Sequence, residues 1–224
     1  MVDNDLVYFR LCINAGCVKA PFLEVGSAIV QDHVASNLCQ LVAASGLSPS
    51  LGTDLHPGKG VDFVSDFGQR HADFVRHWTH GVFATVAIFN TLEHTFDPIT
   101  VLENVLSCVA PEGTIIVVAP STWPLHDFPK DYVRLLPHWH EEFARLHGLT
   151  IVRDRFCHLS EFGILPIDSL RQGSEYALPN YHNSAPRNYR YWSSRAVHRI
   201  FNTYGRSHTL THSAIGCVYR LASL

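Results

Sequence analysis

Residues 22–30, FLEVGSAIV, decide the fold. Phe22, Leu23 and Val25 are apolar, Glu24 is an acid, and the run turns on a single glycine, Gly26. A strand that passes through a tight turn to a nucleotide-type ligand has this outline. The dinucleotide version carries further glycines so that backbone amides can approach a pyrophosphate. Ala28 stands where the second of them would be. The stretch therefore poses a choice between a cofactor with phosphate and one without.

Outward from this strand, helix-like and strand-like periods alternate. Residues 3–17 place Leu6, Phe9, Arg10 and Ile13 at helical spacing, and DHVASNLCQLVAAS (32–45) puts Val34, Leu38, Leu41 and Val42 on one face. SLGTDL (50–55) and VDFVSDF (61–67) are short strands with Asp54 and Asp66 near their ends. VFATVAIFN (82–90) is a strongly apolar strand, whereas 68–80 is polar and shows no period. DPITVLENVLSCVAPEG (97–113) predicts a helix capped by Asp97, with Pro98 in its first turn and a buried stripe of Ile99, Leu102, Val105, Leu106 and Val109. TIIVVAP (114–120), a loop over 121–135, a helix from Pro137 to His147 and a strand LTIVRDRF (149–156) follow. Residues 158–191, rich in Tyr, Asn, Pro and Ser, read as a loop-like insertion that covers the substrate. A helix over 192–204 and a strand AIGCVYRLAS (214–223) close the chain. The alternation predicts one α/β domain over 1–224, a mostly parallel sheet with helices on both faces.

The 224 residues suit one large domain, and 46% apolar residues suffice for a full core. No apolar run reaches the roughly 18 residues that span a bilayer, and the acidic start MVDNDLVYFR does not resemble a signal peptide. A cytoplasmic protein without membrane attachment is expected. Six scattered cysteines without a C-x-x-C pair read as buried free thiols. Fifteen histidines invite a metal, but His140-Glu141 lacks the second histidine of a metalloprotease helix, because Ala144 occupies that place. Charge is uneven: no acid follows Glu175, while six arginines do, which leaves −9 on the first 175 residues against −3 overall. A basic tail on an acidic body suits either an anionic ligand or packing against the acidic part.

In an open α/β sheet, ligands bind beyond the carboxyl ends of the strands. Those ends here bring Glu24-Val25-Gly26-Ser27, then Asp54, then Asp66-Phe67, then Asn90-Thr91-Leu92-Glu93-His94. Asp54 is placed to accept both hydroxyls of a ribose, and Asp66 with Phe67 to meet an adenine. S-adenosylmethionine has no phosphate and bears a sulfonium cation, so a loop poor in glycine and rich in neighbouring acids suits it better than it suits NAD.

FLEVGSAIV, GTDLHPGKGVDFVSD, FNTLEHTFDPITVLENVLSCVAPEGTIIVVAP and HDFPKDYVRLLP, in this order over about residues 20–150, resemble the class I S-adenosylmethionine-dependent methyltransferases of the type 11 group. Within that group, the chain resembles a bacterial subgroup whose first motif is LEVGS in place of a glycine-rich loop. The resemblance implies a Rossmann-like class I fold with a seven-stranded sheet and S-adenosyl-L-methionine as cofactor. It implies that Glu24 and Gly26, with Ser27 beside them, line the methionine side. Asp54 and Leu55 would meet the ribose, Asp66 and Phe67 the adenine, and Asn90, Thr91 and Leu92 would form the floor. Related enzymes with an acid three residues before EH bind a metal; Asn90 stands there, and none is expected. Methyl transfer needs mainly orientation and a proton acceptor, for which His94, His126 and Asp131 are the candidates. Trp123, Asp127, Tyr132 and Arg134 are candidate contacts to the acceptor. That acceptor is expected to be a small molecule with a hydroxyl or amine, an anionic one included. Two rival readings are an RNA methyltransferase holding phosphates on the arginine-tyrosine segment 181–206, against which the acidic charge argues, and an inactive methyltransferase fold serving as partner or sensor.

Overall fold

The computed structural model of the chain describes residues 3–29, 37–78, 80–123, 125, 130–160, 163–167 and 213–222. In chain order these form α1 (Asp3–Asn14), β1 (Phe22–Val25), α2 (Leu38–Ala44), β2 (Ser50–Asp54), β3 (Phe63–Val64), α3 (His71–Phe74), β4 (Phe83–Phe89) and α4 (Pro98–Cys108). They continue with β5 (Val109–Thr122), α5 (Pro137–Leu146), β6 (Thr150–Ile151), β7 (Cys157–Ser160), β8 (Gly163–Pro166) and β9 (Ser213–Arg220).

The strands make one sheet in the order β3-β2-β1-β4-β5-β9-β7-β8, with β6 also on β9. β3, β2, β1, β4 and β5 are parallel, and β9 runs antiparallel to β5, β6 and β7. Each central strand is apolar on both faces, as a sheet covered on both sides requires. Val86 and Ile88 of β4 face one core with Ile115 and Val117 of β5, while Ala87, Phe89, Ile116 and Val118 face the other. α3, α4 and α5 cover the first face; α1 and α2 cover the second.

Several expectations change in detail. The sheet has nine strands among the described residues rather than seven. The sixth position is split into β6 and β7 by a helical turn at Arg153–Arg155, and β8 extends the edge by a hairpin. The expected insertion thus begins with ordered strands rather than a loop, and its remainder from 168 lies outside the described residues, as does the helix expected over 192–204. The third strand is only Phe63–Val64, and the polar stretch after it holds the single turn α3.

The buried face of α4 is turned from the expected stripe. Ile99 is exposed and Leu106 half-buried, while Val101, Leu102, Asn104, Val105 and Cys108 are buried. Asn104 explains the rotation. Its Nδ2 donates to the Phe67 and Gln69 carbonyls at 2.8 and 2.9 Å, so a polar side chain takes a core position by tying down the β3–α3 loop. Val109 belongs to β5. Asp97 caps α4 as expected, accepting from Ile99 N and Thr100 N. All six cysteines are buried free thiols. Among the described residues no helix is long and apolar enough to cross a membrane.

Candidate functional site

The turn after β1 is built by its neighbour β2. Gly26 N and Ser27 N both donate to Thr53 O, at 2.9 and 3.0 Å, and Ile29 N donates to Lys59 O at 2.9 Å. Ala28 N donates to Asp54 Oδ2 at 3.1 Å. All four amides of the turn are therefore satisfied within the protein. A phosphate loop needs those amides pointing outward, so this turn offers a phosphate nothing.

Gly26 has φ +82°, and a Cβ built on it would overlap Thr91 Oγ1 from the β4 tip. Glycine meets both demands, the left-handed backbone and the close approach. The connection from β2 to β3, residues 55–62, is too short for a crossover helix and folds back over the β1 turn. Asn37, the cap of α2, holds it there, with Nδ2 donating to Ser27 O at 3.2 Å and Gly60 O at 3.1 Å.

Glu24 is 1% exposed, and Cys39 N at the start of α2 donates to its Oε2 at 2.9 Å. Burial pushes its carboxyl up to about 7, against the pull of the Cys39 and Leu38 amides. Asp54 is half-buried, and its Oδ1 also accepts from His56 N at 3.3 Å. A carboxylate has about four lone-pair sites, so two remain for ligand hydroxyls. Ser27 Oγ and Thr53 Oγ1 are buried beside these acids with no hydrogen-bond partner among the described residues. Asp66 is exposed just past β3, its Oδ1 accepting from Gly68 N. Phe67 departs from expectation: at 4% exposed, its ring packs on Phe74 and Trp78 at 4.6 and 5.4 Å, which makes it a core residue. A groove of about 760 Å³ runs along β3. It touches the strand ends at Leu55 and Asp66, then leaves them for Trp78 and Phe83 at the amino end of β4.

At the β4 tip, Leu92 is buried and Thr91 half-buried. The segment after β5 docks on this tip. Tyr132 N donates to Glu93 O at 2.7 Å, and His94 Nδ1 lies 2.6 Å from Lys130 O. A carbonyl only accepts, so Nδ1 carries the proton and Nε2 is the basic nitrogen of the neutral ring. Asp131 pairs with the Arg134 guanidinium through both oxygens, and Arg134 Nη2 also reaches Trp123 O at 3.4 Å. Tyr132 is exposed and meets Phe96 edge-on at 5.8 Å. The structure thus gathers His94, Asp131, Tyr132, Arg134 and Trp123 at one end of the sheet; His126 and Asp127 lie outside the described residues, as does segment 181–206.

No protein-family model and no curated protein sequence matches the chain. Solved structures do. One is a SAM dependent methyltransferase from Archaeoglobus fulgidus, at TM-score 0.53 and 15% identity over 97% of this chain and 94% of that one. Another is the YcgJ protein from Bacillus subtilis, at TM-score 0.55 and 10% identity, covering 98% of this chain and 100% of that one. A third is phosphoethanolamine N-methyltransferase 2 from Haemonchus contortus in complex with S-adenosyl-L-methionine, at TM-score 0.53 and 13% identity over 97% of this chain and 53% of that one. The chain has the class I methyltransferase fold.

In this methyltransferase fold, two buried acids escaped the sequence reading. Glu93, inside the quoted FNTLEH, is 2% exposed, and burial pushes its carboxyl up to about 7. Its Oε1 lies 3.8 Å from His94 Nε2. Asp5 sits on the face of α1 that Tyr8, Phe9 and Cys12 make apolar. An acid at such a position was the available signal for it.

Glu24 and Glu93 also set a pH dependence. Both have folded pKa values near 7, above their ordinary 4.5, so the proton favours the folded state. That stabilisation is complete below pH 4.5 and lost as pH rises through 7, about 3 kcal/mol for each group. The urea midpoint should therefore fall between pH 5 and pH 8. Glu93→Gln should flatten the slope substantially, and an unchanged slope would remove Glu93 from this role.

Proposed function

We propose that the protein is an S-adenosylmethionine-dependent methyltransferase acting on a hydroxyl or amine of a small molecule. One observation carries the reading above the fold. The β1 turn spends all four of its amides internally, while acids close three neighbouring strands, Glu24 in β1, Asp54 at the end of β2 and Asp66 after β3. These four amides leave a pyrophosphate no donor in the turn, and the acids offer acceptors that suit a cationic nucleoside.

The residues present fit the cofactor. Asp54 would hold the ribose with Leu55 beside it, Asp66 the adenine, and Glu24, Gly26 and Ser27 the amino-acid end over a floor of Asn90, Thr91 and Leu92. The orphaned Ser27 Oγ and Thr53 Oγ1 support a polar ligand at this place. When bound, S-adenosylmethionine supplies a methyl group already activated by its sulfonium.

The chain itself contributes orientation and a proton acceptor. His94 serves as that acceptor through Nε2, its tautomer set by Lys130 O, with the buried Glu93 carboxyl 3.8 Å from the same nitrogen. Asp131, with both oxygens on Arg134, is a brace rather than a base. Trp123, Tyr132 and Arg134 would meet the acceptor, a sugar, nucleotide sugar or other secondary metabolite.

Incubation with methyl-labelled S-adenosylmethionine and a panel of hydroxyl and amine compounds tests this directly. Label should pass to a small molecule with S-adenosylhomocysteine as co-product. Transfer to RNA, or to nothing despite cofactor binding, would replace the reading with the nucleic-acid or inactive-partner alternative.

A further inference from the structure

The first turn of α1 reaches the proposed cofactor floor from below. Asn90 Nδ2 lies 2.8 Å from Asp5 Oδ2, and Asp5 is 1% exposed. From the same turn, Asn4 Nδ2 donates to Ser160 O at the end of β7. We propose that Asp5 is a positioning residue for the ligand floor, fixing the side-chain amide of Asn90 as a hydrogen-bond acceptor for an N–H or ammonium donor of the ligand. The proposal rests on the methyltransferase reading above.

Asn90 Nδ2 is the donor in this pair and Asp5 Oδ2 the acceptor. Oδ1 is then the polar atom that remains to Asn90, and it can only accept. The backbone of Asn90 is fixed as well: φ is +48°, a left-handed value that asparagine tolerates better than most side chains, and its N donates to Val118 O at 2.8 Å. Both the amide and the backbone that bears it are held. The next residue, Thr91, abuts Gly26, so Asn90 stands one residue from the contact between the β4 tip and the turn after β1.

A carboxylate on an apolar helix face costs stability that a leucine there would not. One return on that cost is the orientation of Asn90. Without it the amide can turn, and a donor can replace the acceptor.

The test measures S-adenosylhomocysteine binding by calorimetry and stability by urea unfolding in the same variants. Asp5→Leu should weaken binding about 10-fold or more, the loss of one well-placed polar contact, in a protein that still unfolds in a single cooperative transition. Asp5→Asn, which keeps an acceptor, should stay within about threefold of the parent. Asn90→Asp alone sets two carboxylates face to face and should bind about 10-fold more weakly or worse. The double variant Asp5→Asn with Asn90→Asp exchanges donor and acceptor, and should recover most of that loss. This reciprocal pair decides the matter even if Asp5→Leu fails to fold. Parental binding in Asp5→Leu, or a double variant no better than Asn90→Asp, overturns the proposal while the methyltransferase reading stands. If the unaltered protein binds no S-adenosylhomocysteine, that reading fails and this proposal falls with it.

Discussion

Asp54→Ala is expected to weaken S-adenosylhomocysteine binding about 100-fold or more, the loss of two hydrogen bonds to a charged acceptor at roughly 1.5–3 kcal/mol each. The carboxylate already accepts from Ala28 N and His56 N, and its remaining lone pairs are those a ribose would use. Removing it deprives the ligand of both acceptors and the turn of the partner of Ala28 N. Asp54→Asn separates the two effects. Its amide oxygen can still hold Ala28 N, so the turn should persist, but it is an uncharged acceptor for one donor, and binding should fall about 10-fold. Calorimetry beside thermal unfolding distinguishes them: affinity should drop steeply while the midpoint moves little. Equal affinity in Asp54→Ala would remove the ribose assignment.

Gly26→Ala should be the most damaging single substitution in the site. A side chain at φ +82° costs about 1–2 kcal/mol in itself. The overlap of the new Cβ with Thr91 Oγ1 adds to that, because Thr91 Oγ1 is held by Phe89 O at 3.0 Å and cannot swing away freely. Together these predict a loss of about 3 kcal/mol, which for a chain of this size lowers the melting temperature by about 6–12 °C. Thr91→Ala in the same chain should restore the steric part only. It removes Oγ1 and Cγ2, leaves Cβ at 3.2 Å from the new methyl, and does nothing for the backbone. A Gly26→Ala protein as stable as its parent would mean that the β1 turn and the β4 tip do not interlock.

Much of this was legible in the sequence, for reasons specific to each element. β1 and β4 were readable because they are buried on both faces and so carry apolar runs broken by a single polar residue each, Glu24 and Thr85, and Asp97 and Pro98 announced α4. Glu24, Gly26 and Asp54 were readable because they sit where such strands must end. What stayed hidden depends on contacts distant in sequence. The burial of Asn104 turned α4 away from its apolar period, and Asn104 is there for carbonyls some 35 residues earlier. Phe67 looked like a ligand residue by its place after Asp66, but Phe74 and Trp78 draw its ring into the core. The break at Arg153–Arg155 lies in a stretch whose period is strand-like throughout. The pairing of Asp5 with Asn90 spans 85 residues, and only the oddity of an acid on an apolar face hinted at it.

The way FLEVGSAIV ends is also clearer. The missing glycines matter less than where the amides go: with four of them spent on Thr53, Asp54 and Lys59, the turn is closed to phosphate by hydrogen bonding and not merely by side-chain bulk.

The most direct test of the central claim is a calorimetric comparison of S-adenosylhomocysteine with NAD on the full chain under identical conditions. Saturable one-to-one binding of S-adenosylhomocysteine, with no heat from NAD, is the predicted result. Binding of NAD, or no binding of S-adenosylhomocysteine at millimolar concentration, would contradict it.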